Sequence, residues 1–123
     1  MITDDQKRTI PLSCPDITSR EIERVLGVLK TTNITRVPVV KEFEKKIAEY
    51  THLPHAIAVN SGTSALHLVV RGLGLKEGDE VITTPFSFIA SSNCLLMEKV
   101  TPIFVDVDPL TGNIDPALIE ERI

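Results

Sequence analysis

Three small residues in a row, Gly62, Thr63 and Ser64, are the best candidates for binding chemistry in this sequence. A short apolar run ends at Val59 and helical spacing starts at Thr63, so the turn between them places unpaired backbone N–H groups at a helix N-terminus. Glycine lets an anion approach the backbone, and the two hydroxyl groups can donate further hydrogen bonds. The pattern predicts a phosphate site. A good helix start without a ligand explains these residues equally well when the motif is judged alone.

An aromatic side chain after the next predicted strand is the second candidate. Phe86 and Phe88 follow that strand and fall at the carboxyl edge of the predicted sheet, where ligands of open α/β sheets bind. A ring at this edge could lie against a flat heterocycle held by the phosphate turn. We expect at least one of the two rings to pack between helix and sheet instead, and we select Phe88 for the site.

The other residues that could do chemistry form no recognisable constellation. The three histidines lack metal-ligand spacing, and His67 is expected to be exposed or satisfied by a neighbour. Asp106 and Asp108 fit turn chemistry better than a metal site. Cys14 and Cys94 lie far apart, which indicates two reduced thiols. No phosphate-binding Gly-Lys-Ser or Gly-Lys-Thr sequence is present. Because none of these residues forms a metal-ligand set or an evident catalytic arrangement, we predict no metal site and no catalytic residue among them.

The elements that must position the candidates alternate between strands and helices. Thr18 and Glu21 form a predicted capping box for a first helix that ends near Lys30. Pro38 begins a second helix, whose charged residues are expected to form a solvated face. The later elements share short apolar runs separated by turn residues: strands at 56–59, 80–83 and 103–107, helices at 63–73 and 87–97, and a last helix from Asp115. This order is typical of an α/β fold with a parallel sheet.

Composition excludes several classes of function. The 123 residues are 42% hydrophobic and 24% charged, and 13 basic against 17 acidic side chains give a net charge of −4. That size and composition predict at most one globular domain. The acidic balance and the absence of a basic stripe argue against a nucleic-acid partner. The apolar runs are too short to cross a membrane, and the start of the sequence lacks a secretory signal, so we expect a cytoplasmic protein.

Four stretches together resemble the DegT/DnrJ-type sugar aminotransferases, enzymes of fold type I that use pyridoxal 5′-phosphate (PLP). The stretches occur in the order and spacing of that family from about Pro11 onward, at 40–44, 58–68, 78–83 and 102–108. The resemblance implies a three-layer α/β/α architecture with a mostly parallel sheet. Pro11, Pro15 and the polar residues around them predict an irregular N-terminal arm over residues 1–15. The resemblance implies that 16–123 are the first part of the PLP-binding large domain.

The resemblance assigns roles to the candidate residues. It implies that Gly62, Thr63 and Ser64 hold the PLP phosphate and that Phe88 lies against the pyridine ring. In such enzymes a lysine forms a Schiff base with PLP and an aspartate pairs with the ring nitrogen. None of the seven lysines here matches that position, so we expect the chain to stop before it and to be inactive alone.

The activity implied is the transfer of an amino group from an amino acid to a nucleotide-linked keto sugar, in the biosynthesis of polysaccharide or antibiotic sugars. Glutamate is the usual amino donor in the family. The family resemblance further implies a homodimer. Two alternatives remain: a PLP-dependent sugar dehydratase of the same family, or a non-catalytic remnant that binds a phosphate or another chain. Four positions depart from the family pattern: Thr32, Asn33 and Val37 near the expected substrate mouth, and Lys99 in place of a glycine that ends a helix.

Overall fold

The computed structural model describes residues 10–32, 34–35 and 38–123. The start of the sequence and the departures at Asn33 and Val37 lie outside these described residues. The described chain divides into two units, one ending at Ala56 and one spanning Ile57–Ile123. Within the predicted arm, residues 10–15 have neither helix nor strand and are exposed. The predicted domain boundary after residue 15 stays a prediction.

The first unit contains two helices, α1 (Ser19–Leu29) and α2 (Pro38–Thr51). The predicted capping box is confirmed, because the Thr18 side chain accepts the backbone N–H of Arg20 at 3.3 Å while the Glu21 carboxylate accepts the backbone N–H of Thr18 at 2.7 Å. These bonds satisfy donors that a helix start leaves open. No residue of α1 is buried, so its apolar face remains open among the described residues.

Helix α2 has the charged, solvated face that its sequence predicts. Lys46 donates to Glu42 at 2.7 Å, one turn away, and both side chains are about half exposed or more. The helix ends at Thr51. The next residue, His52, has a left-handed φ of 55°, and the backbone N–H of Leu53 reaches the carbonyl of Ala48 at 3.0 Å. This hydrogen bond closes the helix end in the manner of a Schellman motif.

The second unit contains helix α3 (Gly62–Gly72), strand β1 (Glu80–Thr83), helix α4 (Ala90–Leu96) and strand β2 (Thr101–Phe104). The two strands pair in parallel, with Glu80 opposite Thr101 and Thr83 opposite Phe104. Parallel neighbours need a crossover, and α4 supplies it. The core consists of apolar side chains from α3, α4 and the residue before β2, namely Val70, Cys94, Leu95 and Val100. Leu75 and Val81 pack against this cluster.

Four predicted elements differ in the structure. The run 56–59 is not a strand of the sheet, which among the described residues consists of β1 and β2, and Ile57 is 80% exposed. Helix α4 is shorter than the predicted 87–97, because the Ser87–Ile89 segment turns before the helix begins. Strand β2 starts and ends earlier than the predicted 103–107. The last predicted helix consists of two 3-10 turns, Pro116–Leu118 and Glu120–Arg122, although Asp115 caps the first as expected.

The prediction of an α/β fold with parallel strands is confirmed at the level of the β1–α4–β2 unit. Strand β1 has the limits that the sequence predicts. None of the helices described here combines the length and apolar content needed to cross a lipid bilayer.

Candidate functional site

The predicted phosphate turn is the start of helix α3. Ser61 is the N-cap residue, in an extended conformation, and its Oγ accepts the backbone N–H of Ser64 at 3.1 Å. Ser61 therefore satisfies one of the N–H groups that a helix start leaves open. Sequence reasoning did not single out this serine, although an N-cap serine before a helix is a recognisable local signal.

The side chain of Ser64 also belongs to the turn. Its hydroxyl donates to Asn60 Oδ1 at 2.7 Å, and the Ser61 hydroxyl donates to Ser64 Oγ at 3.0 Å. Three side chains thus form a short hydrogen-bonded chain around the helix start. Both the backbone N–H and the hydroxyl proton of Ser64 already have acceptors within the turn. Ser64 therefore has no free donor for a ligand, in contrast to Gly62 and Thr63.

Gly62 and Thr63 leave their donors available. Neither backbone N–H has an acceptor among the described residues, and the hydroxyl of Thr63 has none there either. The space next to Gly62 is open, since a Cβ built on it would meet no atom within 4 Å. Two N–H groups, one hydroxyl and the positive end of an 11-residue helix therefore face an uncrowded region suited to an anion.

A cavity of about 450 Å³ joins this turn to the aromatic candidate. Gly62 and Thr63 line it together with Phe88, which lies two residues before the start of α4. Its remaining lining residues are small or apolar: Ala65, Leu66, Ala90 and Ser91. The structure therefore brings three of the four predicted site residues to one cavity, whereas Ser64 does not line it. The sequence pattern did not indicate the α4 residues.

The two phenylalanines differ in what they face. Phe88 is 76% exposed and borders the cavity, whereas Phe86 is 71% exposed and its ring lies beside Gly112, which has a φ of 69°. Neither ring packs in the core between helix and sheet, so that expectation is wrong. The reason is that the core of this unit is filled by aliphatic side chains and Cys94.

The remaining chemistry-bearing residues take structural roles. Asp108 accepts the backbone N–H groups of Leu110 and Thr111 at 2.7 and 3.3 Å, as turn chemistry predicts. His67 is satisfied, with its Nε2 2.5 Å from Glu98 Oε1. Both cysteines are free thiols. Within the described residues there is no group of three or more His, Cys, Asp or Glu side chains that could hold a metal ion.

Comparison with known proteins places these features in one family. The model of the DegT/DnrJ/EryC1/StrS aminotransferase family matches residues 15–123. The spore coat polysaccharide biosynthesis protein SpsC of Bacillus subtilis is 40% identical over 120 residues, which are 96% of this chain and 31% of that protein. The GDP-perosamine synthase of Caulobacter vibrioides is 42% identical, over 93% of this chain and 31% of its own. The chain thus spans about 30% of the length of such relatives.

Solved structures agree with the sequence relatives. Spr1654 of Streptococcus pneumoniae, solved in its PLP form, superposes with a TM-score of 0.88 at 38% identity, covering 94% of this chain and 30% of the other. The Escherichia coli GDP-4-keto-6-deoxy-D-mannose-3-dehydratase, with bound hydrated PLP, superposes with a TM-score of 0.86 at 28% identity, covering 94% and 31%. One further relative is the 3-oxo-glucose-6-phosphate:glutamate aminotransferase of Bacillus subtilis, 42% identical over 87% of this chain and 25% of its own.

These matches confirm the fold and the cofactor that the sequence motifs imply. The fold is that of the type I PLP-dependent sugar aminotransferases, and the family uses PLP. The match extends over the turn at Gly62, helix α4 and both strands. This chain is a member of the DegT/DnrJ/EryC1/StrS aminotransferase family.

Proposed function

We propose that Gly62, Thr63 and Ser64 form the phosphate subsite for PLP and that Phe88 lies against its pyridine ring. The observation that carries this proposal is the single cavity lined by Gly62, Thr63 and Phe88. A phosphate group needs several converging donors, and a planar ring needs an apolar wall nearby. The residues lining the cavity offer both, the open N–H groups of Gly62 and Thr63 and the exposed aromatic ring of Phe88.

The phosphate contacts differ among the three turn residues. Gly62 and Thr63 donate their backbone N–H groups, and Thr63 adds its hydroxyl. The helix start favours a negative charge there by about 0.3–1 kcal/mol at an exposed site. Ser64 contributes mainly by keeping the turn in shape, since its donors already reach Ser61 and Asn60. Its hydroxyl would have to exchange Asn60 for the phosphate in order to bind it directly.

For the whole protein, we propose the transfer of an amino group from an amino acid, glutamate by preference, to a nucleotide-linked keto sugar. When bound, PLP supplies an electron sink and an aldehyde that carries the amino group. The residues of this chain bind and orient that group. No lysine lines the cavity, so the proposed catalytic lysine is not among the cavity residues. The GDP-perosamine synthase and the glutamate-dependent relative support the substrate and the donor.

The proposal extends to the organisation of the protein. Residues 16–123 contribute to the large, PLP-binding domain, residues 1–15 form an arm, and two copies associate as a homodimer. The family match over residues 15–123 supports the domain assignment. Light scattering of the purified whole protein tests the dimer, since a mass of one subunit would contradict it.

A sugar dehydratase is the second candidate. The structural match to the GDP-4-keto-6-deoxy-D-mannose-3-dehydratase, at a TM-score of 0.86, favours keeping it. A dehydratase removes a sugar hydroxyl group and leaves no nitrogen on the sugar. Mass spectrometry of the sugar product separates the two activities, because only an aminotransferase incorporates nitrogen from ¹⁵N-labelled glutamate.

The decisive binding experiment compares two phenylalanines. Pyridoxine 5′-phosphate has the ring and the phosphate of PLP but no aldehyde, so it reports binding without reacting with lysines. We expect Phe88→Ala to weaken its binding roughly threefold to tenfold, the worth of one aromatic contact. Phe86→Ala is the matched control, because Phe86 is equally exposed but does not line the cavity. Equal effects of the two variants would contradict the proposed site.

A further assay separates catalysis from binding alone. The whole protein is incubated with glutamate and a nucleotide-linked 4-keto sugar, and 2-oxoglutarate and the amino sugar are measured. Equal amounts of both products would support the transfer. Tight binding of pyridoxine 5′-phosphate with neither product, and with no dehydration, would favour the alternative of a phosphate-binding module without catalysis.

A further inference from the structure

Outside the cavity, the side chains of His67 and Glu98 form the most enclosed polar contact between distant parts of the described chain. His67 Nε2 lies 2.5 Å from Glu98 Oε1, and the two side chains are 28% and 23% exposed. A further long-range ion pair, Lys99 with Glu77, has both side chains about three-quarters exposed. Partial burial makes the His67–Glu98 hydrogen bond less screened by water than a surface pair.

The Glu98 carboxylate also faces a second residue of α3, the helix that carries His67. Arg71, one turn beyond His67 on α3, places its Nε 3.6 Å from the same oxygen, but its side chain is 64% exposed. The charged and titratable groups around this carboxylate are therefore His67 and Arg71 from α3. The neighbouring Lys99 turns instead to Glu77. The shorter and more enclosed partner of Glu98 is His67.

The location of the pair relates it to the cavity. His67 lies on α3, whose start carries Gly62 and Thr63, and Glu98 lies just after α4, whose start follows Phe88. Besides this pair and the exposed Arg71, the contact between the two helices includes apolar side chains such as Val70 and Leu95. Apolar packing is non-directional, whereas a hydrogen bond has a preferred length and angle. The His67–Glu98 pair is thus the more enclosed directional part of this contact, since Arg71 is 64% exposed.

We infer that His67 and Glu98 are a positioning pair that fixes α3 against α4 and so sets the separation of the phosphate turn from the Phe88 ring. This inference rests on the proposed function, because the separation matters only if one ligand contacts both ends of the cavity. Neither residue lines the cavity, so the pair acts on the ligand through the two helices.

Two probes test this role. Inorganic phosphate needs only the turn at Gly62, whereas pyridoxine 5′-phosphate needs the turn and the Phe88 ring together. If His67 sets their separation, His67→Ala weakens binding of pyridoxine 5′-phosphate roughly fivefold more than binding of inorganic phosphate, a ratio typical of coupled contacts. A purely structural role would lower both affinities by the same factor, and that result would overturn the inference.

Three further variants sharpen the test. His67→Gln keeps a side-chain N–H donor for Glu98, so it retains one hydrogen bond. We expect its ratio of the two affinities to lie within about twofold of that of the unaltered protein. Arg71→Gln is the matched control, on the same helix and beside the same carboxylate, and is expected to leave the ratio unchanged. The double variant, which carries both His67→Ala and Glu98→Gln, is expected to bind pyridoxine 5′-phosphate as well as His67→Ala alone does. Additive losses in the double variant would count against the pair.

The outcomes separate this inference from the proposed function. If the unaltered protein binds inorganic phosphate but no pyridoxine 5′-phosphate, the proposed function fails and the inference falls with it. If it binds both, and His67→Ala leaves their ratio unchanged while circular dichroism shows a folded protein, only the positioning role fails. Should His67→Ala not fold, the single variants His67→Gln and Glu98→Ala still test the ratio of the two affinities. Glu98→Ala is suitable because Glu98 lies outside α4 and is partly exposed.

Discussion

Ser61 and Ser64 are joined twice at the start of α3. The Oγ of Ser61 accepts the backbone N–H of Ser64 at 3.1 Å and donates its own proton to the Oγ of Ser64 at 3.0 Å. This double contact closes the helix start from within and leaves the N–H groups of Gly62 and Thr63 as its available donors. The cap and the anion site are therefore neighbouring but separate features of one turn.

Removal of the cap should destabilise the second unit. We expect Ser61→Ala to lower the free energy of unfolding by about 1 kcal/mol, the usual cost of losing an N-cap side chain. Urea denaturation followed by circular dichroism measures it. Ser13→Ala, at an exposed serine outside the helices, is the control and should change stability by less than about 0.5 kcal/mol. Equal stability of the two variants would show that Ser61 does not act as a cap.

The two hydroxyl residues after Gly62 should respond differently to substitution. Thr63→Val removes a hydroxyl that has no acceptor among the described residues, so stability should be nearly unchanged while binding of inorganic phosphate weakens severalfold, by about 1 kcal/mol. Ser64→Ala removes hydrogen bonds to Asn60 and Ser61, so it should lower stability by about 1 kcal/mol. Isothermal titration and urea denaturation of both variants check the contrast, which would be lost if Ser64 were the main phosphate ligand.

Local sequence signals predicted single elements better than they predicted the sheet. The roles given to Gly62, Thr63, Ser64 and Phe88 stay predictions. The limits of β1 and the capping box at Thr18 follow from short patterns, because both depend on neighbouring residues. The run 56–59 is apolar like a strand, but strand formation requires a partner at the correct register, which the run itself does not encode. The contact of His67 with Glu98 joins residues 31 apart, so no local pattern could indicate it.

The capping box at α1 should make that helix sensitive to acid. The hydrogen bonds from the Thr18 side chain and backbone lower the pKa of Glu21 below its ordinary value. Because the pKa is lower in the folded than in the unfolded chain, the stabilisation is present above the unfolded value and is lost as the pH falls through the folded one. NMR titration of the Glu21 carboxyl should give a pKa below that of an unstructured glutamate. Helix content should fall over the same acidic range.

The control for this titration is Glu21→Gln, which keeps a side-chain oxygen for the Thr18 backbone N–H but cannot ionise. We expect its α1 helix to lose the Glu21-dependent part of the acid response. A Glu21 carboxyl that titrates as in an unstructured peptide would mean that the capping box does not persist in solution.

Lys99 lies in the turn that follows α4, in a conformation that favours glycine. Its φ is 59°, and the hydrogen bond from the backbone N–H of Val100 to the carbonyl of Leu95, at 3.0 Å, depends on that left-handed turn. The family resemblance predicts a glycine at this position, and the left-handed φ of Lys99 confirms that a side chain here strains the backbone. The ion pair that Lys99 makes with Glu77, at 3.3 Å with both side chains exposed, offsets little of that strain.

Lys99→Gly should therefore stabilise the protein, by about 1 kcal/mol. Lys99→Ala is the matched control, because it removes the ion pair to Glu77 but keeps a Cβ in the left-handed conformation; it should be neutral or slightly destabilising. Thermal and urea denaturation of both variants distinguish backbone strain from the ion pair. If Lys99→Gly is less stable than the unaltered protein, the ion pair outweighs the strain. Val100, 1% exposed and directly after the turn, makes the helix end part of the core, so the gain should appear in global unfolding.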